Sequence, residues 1–453
     1  MKLEDGVKKF LLVLTLFLFG VVLIMNGINS KVRTPIIWIE TGPNLEIHEG
    51  HVSQKEEIVL VRHGKKTIAR VHLSKPVVVA QATQKEEWGY FQFPSIGMAE
   101  DDNTLIVSWS MKGDTYKMYG RRSEREMTPM MSKDGGITWF PRDKKYTMKK
   151  DNRDPVLKSG GSISIKTPAS KDIGLYNNFP KSVGISGKRT FYLMDSLPND
   201  LQGIYVNIRE KGRKTQTVHA KLNDPKLLRY SIDSLMPIVW WGNMRQLADS
   251  SLVAGIYPGC YLDTPGGVDY SGVSFYKSVD DGRTWNLISR IPFKLDGIAE
   301  KLGGKSFDEP AFEILSDSTF LCVMRTGDKS PMYQAFSTDR GNTWSLPEPF
   351  TPNGVKPKLL RLNNGVLVLV SGRPGVQIRF SLDGTGRNWT DAIDMMSFMK
   401  PDGSYNLWST CGYASIIEAD KNSFYIVYSD FTTRNAKGQT RKTIWCRRVM
   451  VKM

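Results

Sequence analysis

The 453-residue sequence predicts an all-β chain, folded as a six-bladed β-propeller. Three observations carry this. The motif Ser-x-Asp-x-Gly-x-Thr-Trp occurs at residues 132–139 ("SKDGGITW"), 278–285 ("SVDDGRTW") and 337–344 ("STDRGNTW"), with a stretched copy at 381–389 ("SLDGTGRNW"). The motifs end similar units, each two short apolar segments flanking a turn of Asp, Asn, Gly or Ser. No helical pattern of useful length interrupts these units.

Taken in chain order, residues 1–30 are expected to lie outside the fold. Lys8 and Lys9 precede an unbroken apolar run, residues 10–25 ("FLLVLTLFLFGVVLIM"), which is the pattern of a secretory signal peptide. The following "NGINS" is not an Ala-x-Ala ending, and no cysteine follows it. An uncleaved N-terminal membrane anchor is therefore the alternative, although the run is short for a spanning helix. Both readings export the rest of the chain. Residues 31–84, with strand-like runs such as "EEIVLVRHGKKTIARVHL", are expected to add an outer strand or cover to the last blade and close the ring. Residues 85–453 are assigned to the propeller.

Within that span, blade-like strand pairs read at 94–110, 244–259, 310–327, 357–374 and 413–431. A sixth, "KSVGISGKRTFYLMDS" at 181–196, has no motif after it. Six units give about 60 residues each, the scale of a four-stranded blade. The motif itself reads as a folding device between the two outer strands of a blade. Its Asp accepts backbone N–H groups, its Gly takes positive φ, its Thr hydroxyl ties the turn back, and its Trp packs into the blade. Calcium or sugar binding at Asp134, Asp280 or Asp339 is the weaker reading.

Composition narrows the function. Hydrophobic residues make up 40% and charged residues 24%, which is enough for a packed core and excludes a disordered chain. A net charge of +16 suits an acidic partner. The Lys and Arg residues are scattered and no basic block interleaves with aromatics, which makes nucleic acid a weaker partner than an anionic membrane surface or an acidic glycan. Cys260, Cys322, Cys411 and Cys446 lie far apart with no CxxC spacing, so neither a zinc site nor a redox pair is indicated. Cys322 and Cys411 read as buried thiols. No metal cluster, nucleotide loop, cofactor or protein partner is implied.

In a propeller the inner strands of all blades start near one end of the axis. Residues at those starts, or just after the second strands, converge from distant parts of the chain. The positions to inspect are Gln92, Arg245, Glu309, Arg325, Arg373 and Tyr413. Here the sequence resembles the sialidase superfamily, the six-bladed propellers with Asp boxes, over most of the chain after about residue 85. Among its members the bacterial exo-α-sialidases of glycoside hydrolase family 33 are the nearest in pattern. The resemblance implies an exported glycoside hydrolase. In "FDEPAFEILSDSTFLCVMRTG" it assigns Glu309 as the catalytic glutamate and Arg325 as a carboxylate-binding arginine. Arg373, eight residues before the box Ser381, matches the last carboxylate-binding arginine, and Tyr413 in "STCGYASIIEADKNSFYIVYSD" matches the nucleophile. The bland readings are an inter-strand salt bridge for Glu309 and Arg325, a solvated turn for Arg373 and a core tyrosine for Tyr413.

The chemistry gives these residue types a reason. A sialic acid carries a carboxylate on its anomeric carbon, which would repel an Asp or Glu nucleophile but not a neutral phenol. The phenol needs a base, which Glu309 would supply. Arginine forks bind carboxylates through two parallel bonds. One departure stands out: where the family opens its first blade with a Phe-Arg-Ile-Pro motif, this chain has "FQFPS", with Gln92 in place of the arginine. A lost charge-assisted contact is worth roughly 1.5–3 kcal/mol. Arg245 in "GNMRQL" is the replacement to consider. The general acid expected after the second strand of the first blade is Asp114, ahead of Glu124 and Glu126, and Trp240 or Trp241 would stack on a sugar. Two alternatives stay open beside a sialidase: a propeller hydrolase or lyase on another acidic sugar, and a non-catalytic glycan-binding propeller.

Overall fold

The computed structural model describes residues 38–41, 56–63, 65–99, 101–114, 125–149, 155–157, 160–166, 170–210, 213–236, 240–264, 267–293, 301–302, 306–316, 318–396, 398–400 and 402–453. The apolar run at 10–25, and Glu124, lie outside the described residues. Among the described residues no helix is long and apolar enough to cross a membrane.

Six strands, in chain order, line one central cavity: Tyr90–Ala99, Ser162–Lys166, Trp240–Gln246, Asp308–Ile314, Val355–Arg361 and Ala414–Asp420. Each is the inner strand of a blade, and the fold is an all-β propeller. Blades 4 and 5 are plain four-stranded antiparallel sheets, with Phe320–Arg325, Met332–Ser337 and Glu348–Thr351 completing one and Leu367–Gly372, Val376–Ser381 and Ile393–Asp394 the other. Blade 1 adds Leu105–Met111, Met130–Ser132 and Phe140–Pro141. Blade 3 adds the long hairpin Leu252–Thr264 and Gly267–Ser278, then Thr284–Ile291. Blade 2 contributes Ser162–Lys166, Ile204–Arg209 and Gln216–Asn223, and joins blade 3 by parallel pairing of Lys221 with Thr284 and Leu222 with Trp285. In blade 6, Thr443–Lys452 carries two N-terminal strands side by side on its outer edge, Val77–Gln81 on its first half and Lys66–Leu73 on its second.

The unit at 181–196 is not a blade. Gly184–Ser186 and Arg189–Leu193 pair with each other and with Leu228–Ile232 in a separate five-stranded sheet, completed by Lys171–Asp172 and Leu235–Met236. This accessory sheet is built from an insertion within blade 2 and from the link to blade 3. The hairpin pattern that suggested a blade is common to any two short strands. Burial separates the cases, since Ile185 is 71% exposed and Gly184–Ser186 has no inner face to cover.

The cores lie between blades rather than within them. Strand Phe320–Arg325 is buried on both sides because its residues alternate. Phe320, Cys322 and Met324 join the core shared with blade 3, and Leu321 and Val323 the core shared with blade 5. The box tryptophans fill the same seams. Fully buried Trp285 packs with Ile163 and Val206 of blade 2, and Trp389 packs among blade 4 side chains and donates to Gln334 (3.2 Å). The turns are held as their chemistry requires. The Ser132 hydroxyl donates to Asp134 (2.8 Å) and accepts from the Gly136 N–H (2.8 Å), while Asp134 accepts from the N–H (2.9 Å) and hydroxyl (2.5 Å) of Thr138. The pattern recurs at Ser278–Asp280, Ser337–Asp339 and Ser381–Asp383, always between the third and fourth strands of a blade.

Candidate active site

Three inner strands begin with one backbone device. Phe93, Glu309 and Lys356 have φ of 51°, 50° and 46°, and each precedes a proline, Pro94, Pro310 or Pro357. The ladder skips at each: from Gln92 to Ser95, from Asp308 to Ala311 and from Val355 to Lys358. A bulge of this kind bends the strand and re-aims a side chain, and proline suits it because no N–H is left without a ladder partner. In blade 6 the two positions are Gly412 (φ 77°) and Tyr413. Tyr413 therefore stands where three other blades carry proline, at the mouth of the central cavity. Gly412 is required for a second reason. A Cβ on it would lie 2.8 Å from Val355 Cγ2 and 3.0 Å from Arg373 Cγ, and one on Gly372 would lie 2.0 Å from the Gly412 carbonyl oxygen, so the two glycines let the two blades touch.

The Tyr413 hydroxyl donates to Glu309 Oε1, a contact across 104 residues of sequence. Glu309 is 5% exposed, and its Oε2 accepts from Arg325 Nη1 (3.0 Å) and the Lys356 N–H (2.9 Å). The Phe93 ring meets Tyr413 edge-on at 5.0 Å, and Lys356 Nζ stands 5.6 Å from the Tyr413 ring centre. These contacts fix the ring with its oxygen on the carboxylate. Arg325 Nη2 donates to Asp328 Oδ1 (2.6 Å), and Arg373 Nη1 pairs with the same oxygen. Arg373 also packs over the ring of Trp408, 4.8 Å from its centre, and Trp408 is 57% exposed. Behind it Trp88 meets Trp408 edge-on at 5.5 Å. The cavity below, about 540 Å³, has Tyr413 and Lys356 in its wall.

The surrounding charges are tuned by burial and pairing. Burial alone would lower the Arg325 pKa, but Glu309, Asp328 and Asp308 outweigh it and hold the guanidinium above its ordinary range. Burial pushes the Asp308 carboxyl up against a Ser306 hydrogen bond, and the neighbouring Glu309 charge adds to the rise. Burial, then the Glu309 and Asp308 charges, raise the Tyr257 phenol well above its usual value. Arg189, from the accessory sheet, is near enough to Asp308 to act on it electrostatically.

Of the residues expected from sequence, Tyr413, Glu309, Arg325 and Arg373 come together. Two others are engaged elsewhere. Gln92 is fully buried, and the amide orientation that satisfies its neighbours has its oxygen accepting from the Gly89 N–H (3.1 Å) and Lys442 Nζ (3.0 Å), so it is not a third contact in the pocket. Arg245 lines the cavity, but its fork is closed on buried Glu313 by two bonds of 3.1 Å, which removes it as a replacement. Asp114 sits on the blade 1 rim, its N–H bonded to the Trp88 carbonyl (3.2 Å). Trp241 belongs to the blade 3 inner strand, and its side chain lies outside the described residues. Among the described residues no group of three or more His, Cys, Asp or Glu could hold a metal ion. Sequence reasoning missed Lys356, Asp328, Asp308 and Trp408. Lys356-Pro357 repeats Glu309-Pro310 one blade on, a signal that was there to read. Asp328, in the turn "RTGDKSP", carries no such signal.

No protein-family model and no curated protein matches the chain. Among solved structures it is similar to a protein of unknown function from Dyadobacter fermentans, at 17% identity and TM-score 0.54, covering 84% of this chain and 99% of that one. It also aligns with a Hadza microbial sialidase at 14% identity and TM-score 0.47, covering 87% of this chain and 74% of that one. An alignment with the α-L-arabinanase of Penicillium chrysogenum has 12% identity and TM-score 0.46, over 83% and 98% of the two chains. At these identities the likeness concerns the fold, and only the first alignment exceeds a TM-score of 0.5.

Proposed function

We propose that this chain is a retaining exo-glycoside hydrolase of sialidase type, acting on terminal sialic acid or a related acidic sugar. One observation carries the reading: the Tyr413 hydroxyl donates to the buried carboxylate of Glu309, with Arg325 and Arg373 alongside. A lone phenol is a weak nucleophile at neutral pH, and a carboxylate in hydrogen-bond reach is the base that activates it. In the first step Glu309 takes the phenolic proton as the Tyr413 oxygen bonds to the anomeric carbon and the glycosidic oxygen leaves. A carboxylic acid protonates that oxygen. Asp114 on the blade 1 rim is the candidate for it. Water then displaces Tyr413, giving a proton to the carboxylate that served as the acid, and Tyr413 takes its own proton back from Glu309. The arginines orient the sugar through its carboxylate.

A second reading, hydrolysis of a different acidic sugar, is favoured by the burial of Gln92 against Lys442, which leaves two arginines where a sialidase uses three. The test is turnover of a fluorogenic sialoside beside a panel of uronosides, by the wild type and by Tyr413→Phe. Turnover of one of these classes is expected, falling by about 10²–10⁴-fold in the variant with the melting temperature unchanged. A variant of full activity would sink the reading. We also propose export, supported by Lys8, Lys9 and the apolar run at 10–25; recovery of the chain from the cytoplasmic fraction alone would count against it.

A further inference from the structure

The arginine pair is not vacant. Asp328 Oδ1 takes one N–H from Arg325 (2.6 Å) and another from Arg373, so a carboxylate oxygen of the chain itself already bridges the two guanidinium groups. The arginine side chains are 18% and 8% exposed, while Asp328 is 41% exposed. The carboxylate thus sits on the solvent side of the pair, where a ligand would approach. It is held there by a short turn. The Thr326 hydroxyl donates to the Pro331 carbonyl (2.6 Å) and the Ser330 hydroxyl to Leu302 (3.1 Å), which fastens the turn on either side of Asp328.

We infer that Asp328 is a specificity-determining residue of the site, an internal carboxylate that any ligand carboxylate must displace to reach Arg325 and Arg373. This rests on reading the pair as the carboxylate-binding element. The physical argument is competition. A ligand carboxylate offers the arginines the same charge-assisted bonds that Asp328 already makes, so its gain is only the difference between the two. The displaced Asp328 moves into water but stays covalently close, where its charge opposes the ligand. Acidic sugars are therefore bound more weakly than two free arginines would bind them, and neutral sugars are untouched by the effect. Removing one competing charge-assisted contact is worth about tenfold or more in affinity.

The experiment is calorimetric titration of the full chain with free N-acetylneuraminic acid, with D-glucuronic acid, and with N-acetylmannosamine as a neutral control. The proteins are wild type, Asp328→Ala, Asp328→Asn and the double variant Asp328→Ala/Arg373→Ala. Asp328→Ala is expected to bind at least one acidic sugar about tenfold more tightly, and Asp328→Asn to fall between it and the wild type. The neutral sugar should be unaffected, and the gain should vanish in the double variant. If Asp328→Ala melts below the wild type, Asp328→Asn, which keeps the shape and removes the charge, carries the comparison. Acidic-sugar affinity that is unchanged or weaker in both single variants would overturn the inference, as would a gain that survives loss of Arg373. The readout needs no turnover. Tighter binding by a protein that hydrolyses no glycoside would refute the proposed enzyme while leaving Asp328 in its role.

Discussion

Tyr413 owes its position to backbone as much as to chemistry. It replaces the proline that follows a positive-φ residue at Phe93, Glu309 and Lys356, and the Gly412 before it permits the turn. That much was legible in "FPS", "EPA", "KPK" and "GYA", and the convergence of Tyr413 with Glu309, Arg325 and Arg373 follows from inner-strand geometry. Side-chain partners were not legible, because they depend on which blade faces which. Arg245 looked available until Glu313, 68 residues away, closed on it, and Gln92 looked like a pocket residue until Lys442 met it from the far end of the chain. Burial pulls the Lys442 pKa down to about 8, the mark of an ammonium already costly to hold there. Gln92→Arg would set a second cation beside it. The substitution is expected to destabilise the fold by about 3–5 kcal/mol, read by denaturant unfolding, because it buries an uncompensated charge. Gln92→Arg/Lys442→Met should regain part of the loss. A Gln92→Arg protein as stable as the wild type would contradict the burial of Gln92 beside the half-buried Lys442.

At the scale of the element, the boxes were the most readable feature because they are local. Serine, Asp, Gly and Thr within eight residues satisfy one another wherever the turn is placed. The accessory sheet was the least readable, because a hairpin's pattern does not say which sheet it joins. Two expectations belong here. Trp285 fills the seam between blades 2 and 3 with no exposure, so Trp285→Ala is expected to cost roughly 3–5 kcal/mol in denaturant unfolding. A loss under about 1 kcal/mol would mean that the seam is not packed around that ring. Asp134 is held at about 2 by the Thr138 hydroxyl, the Thr138 N–H and the Ser132 hydroxyl. Its folded pKa lies below the unfolded value near 4, so the stability it contributes is fully present above about pH 4 and is lost as pH falls towards 2. Melting temperature should drop across that window, and Asp134→Asn should show less of the drop. Parallel profiles for the two proteins would show that the box carboxylate is not linked to folding.

The whole molecule is a ring whose cores are shared, so each blade is stabilised by its neighbours. Val59, Val61, Val71 and Leu73 from the N-terminal strands enter the core between blades 5 and 6, and Val79 enters the one between blades 6 and 1. The shared cores hold the inner-strand starts of blades 4, 5 and 6 in register. That register puts Glu309, Arg373 and Tyr413, from three different blades, in one constellation. The net charge of +16 over the whole chain would assist approach of the acidic glycan that the proposed function requires. The central claim is that Tyr413 forms a covalent bond to the sugar, and its most direct test is mass spectrometry of the protein quenched during turnover of an activated fluorinated sialosyl or uronosyl substrate that deglycosylates slowly. The account predicts one added sugar on the peptide carrying Tyr413, absent from Tyr413→Phe. A sugar attached to Glu309, or turnover with inversion and no adduct, would contradict it.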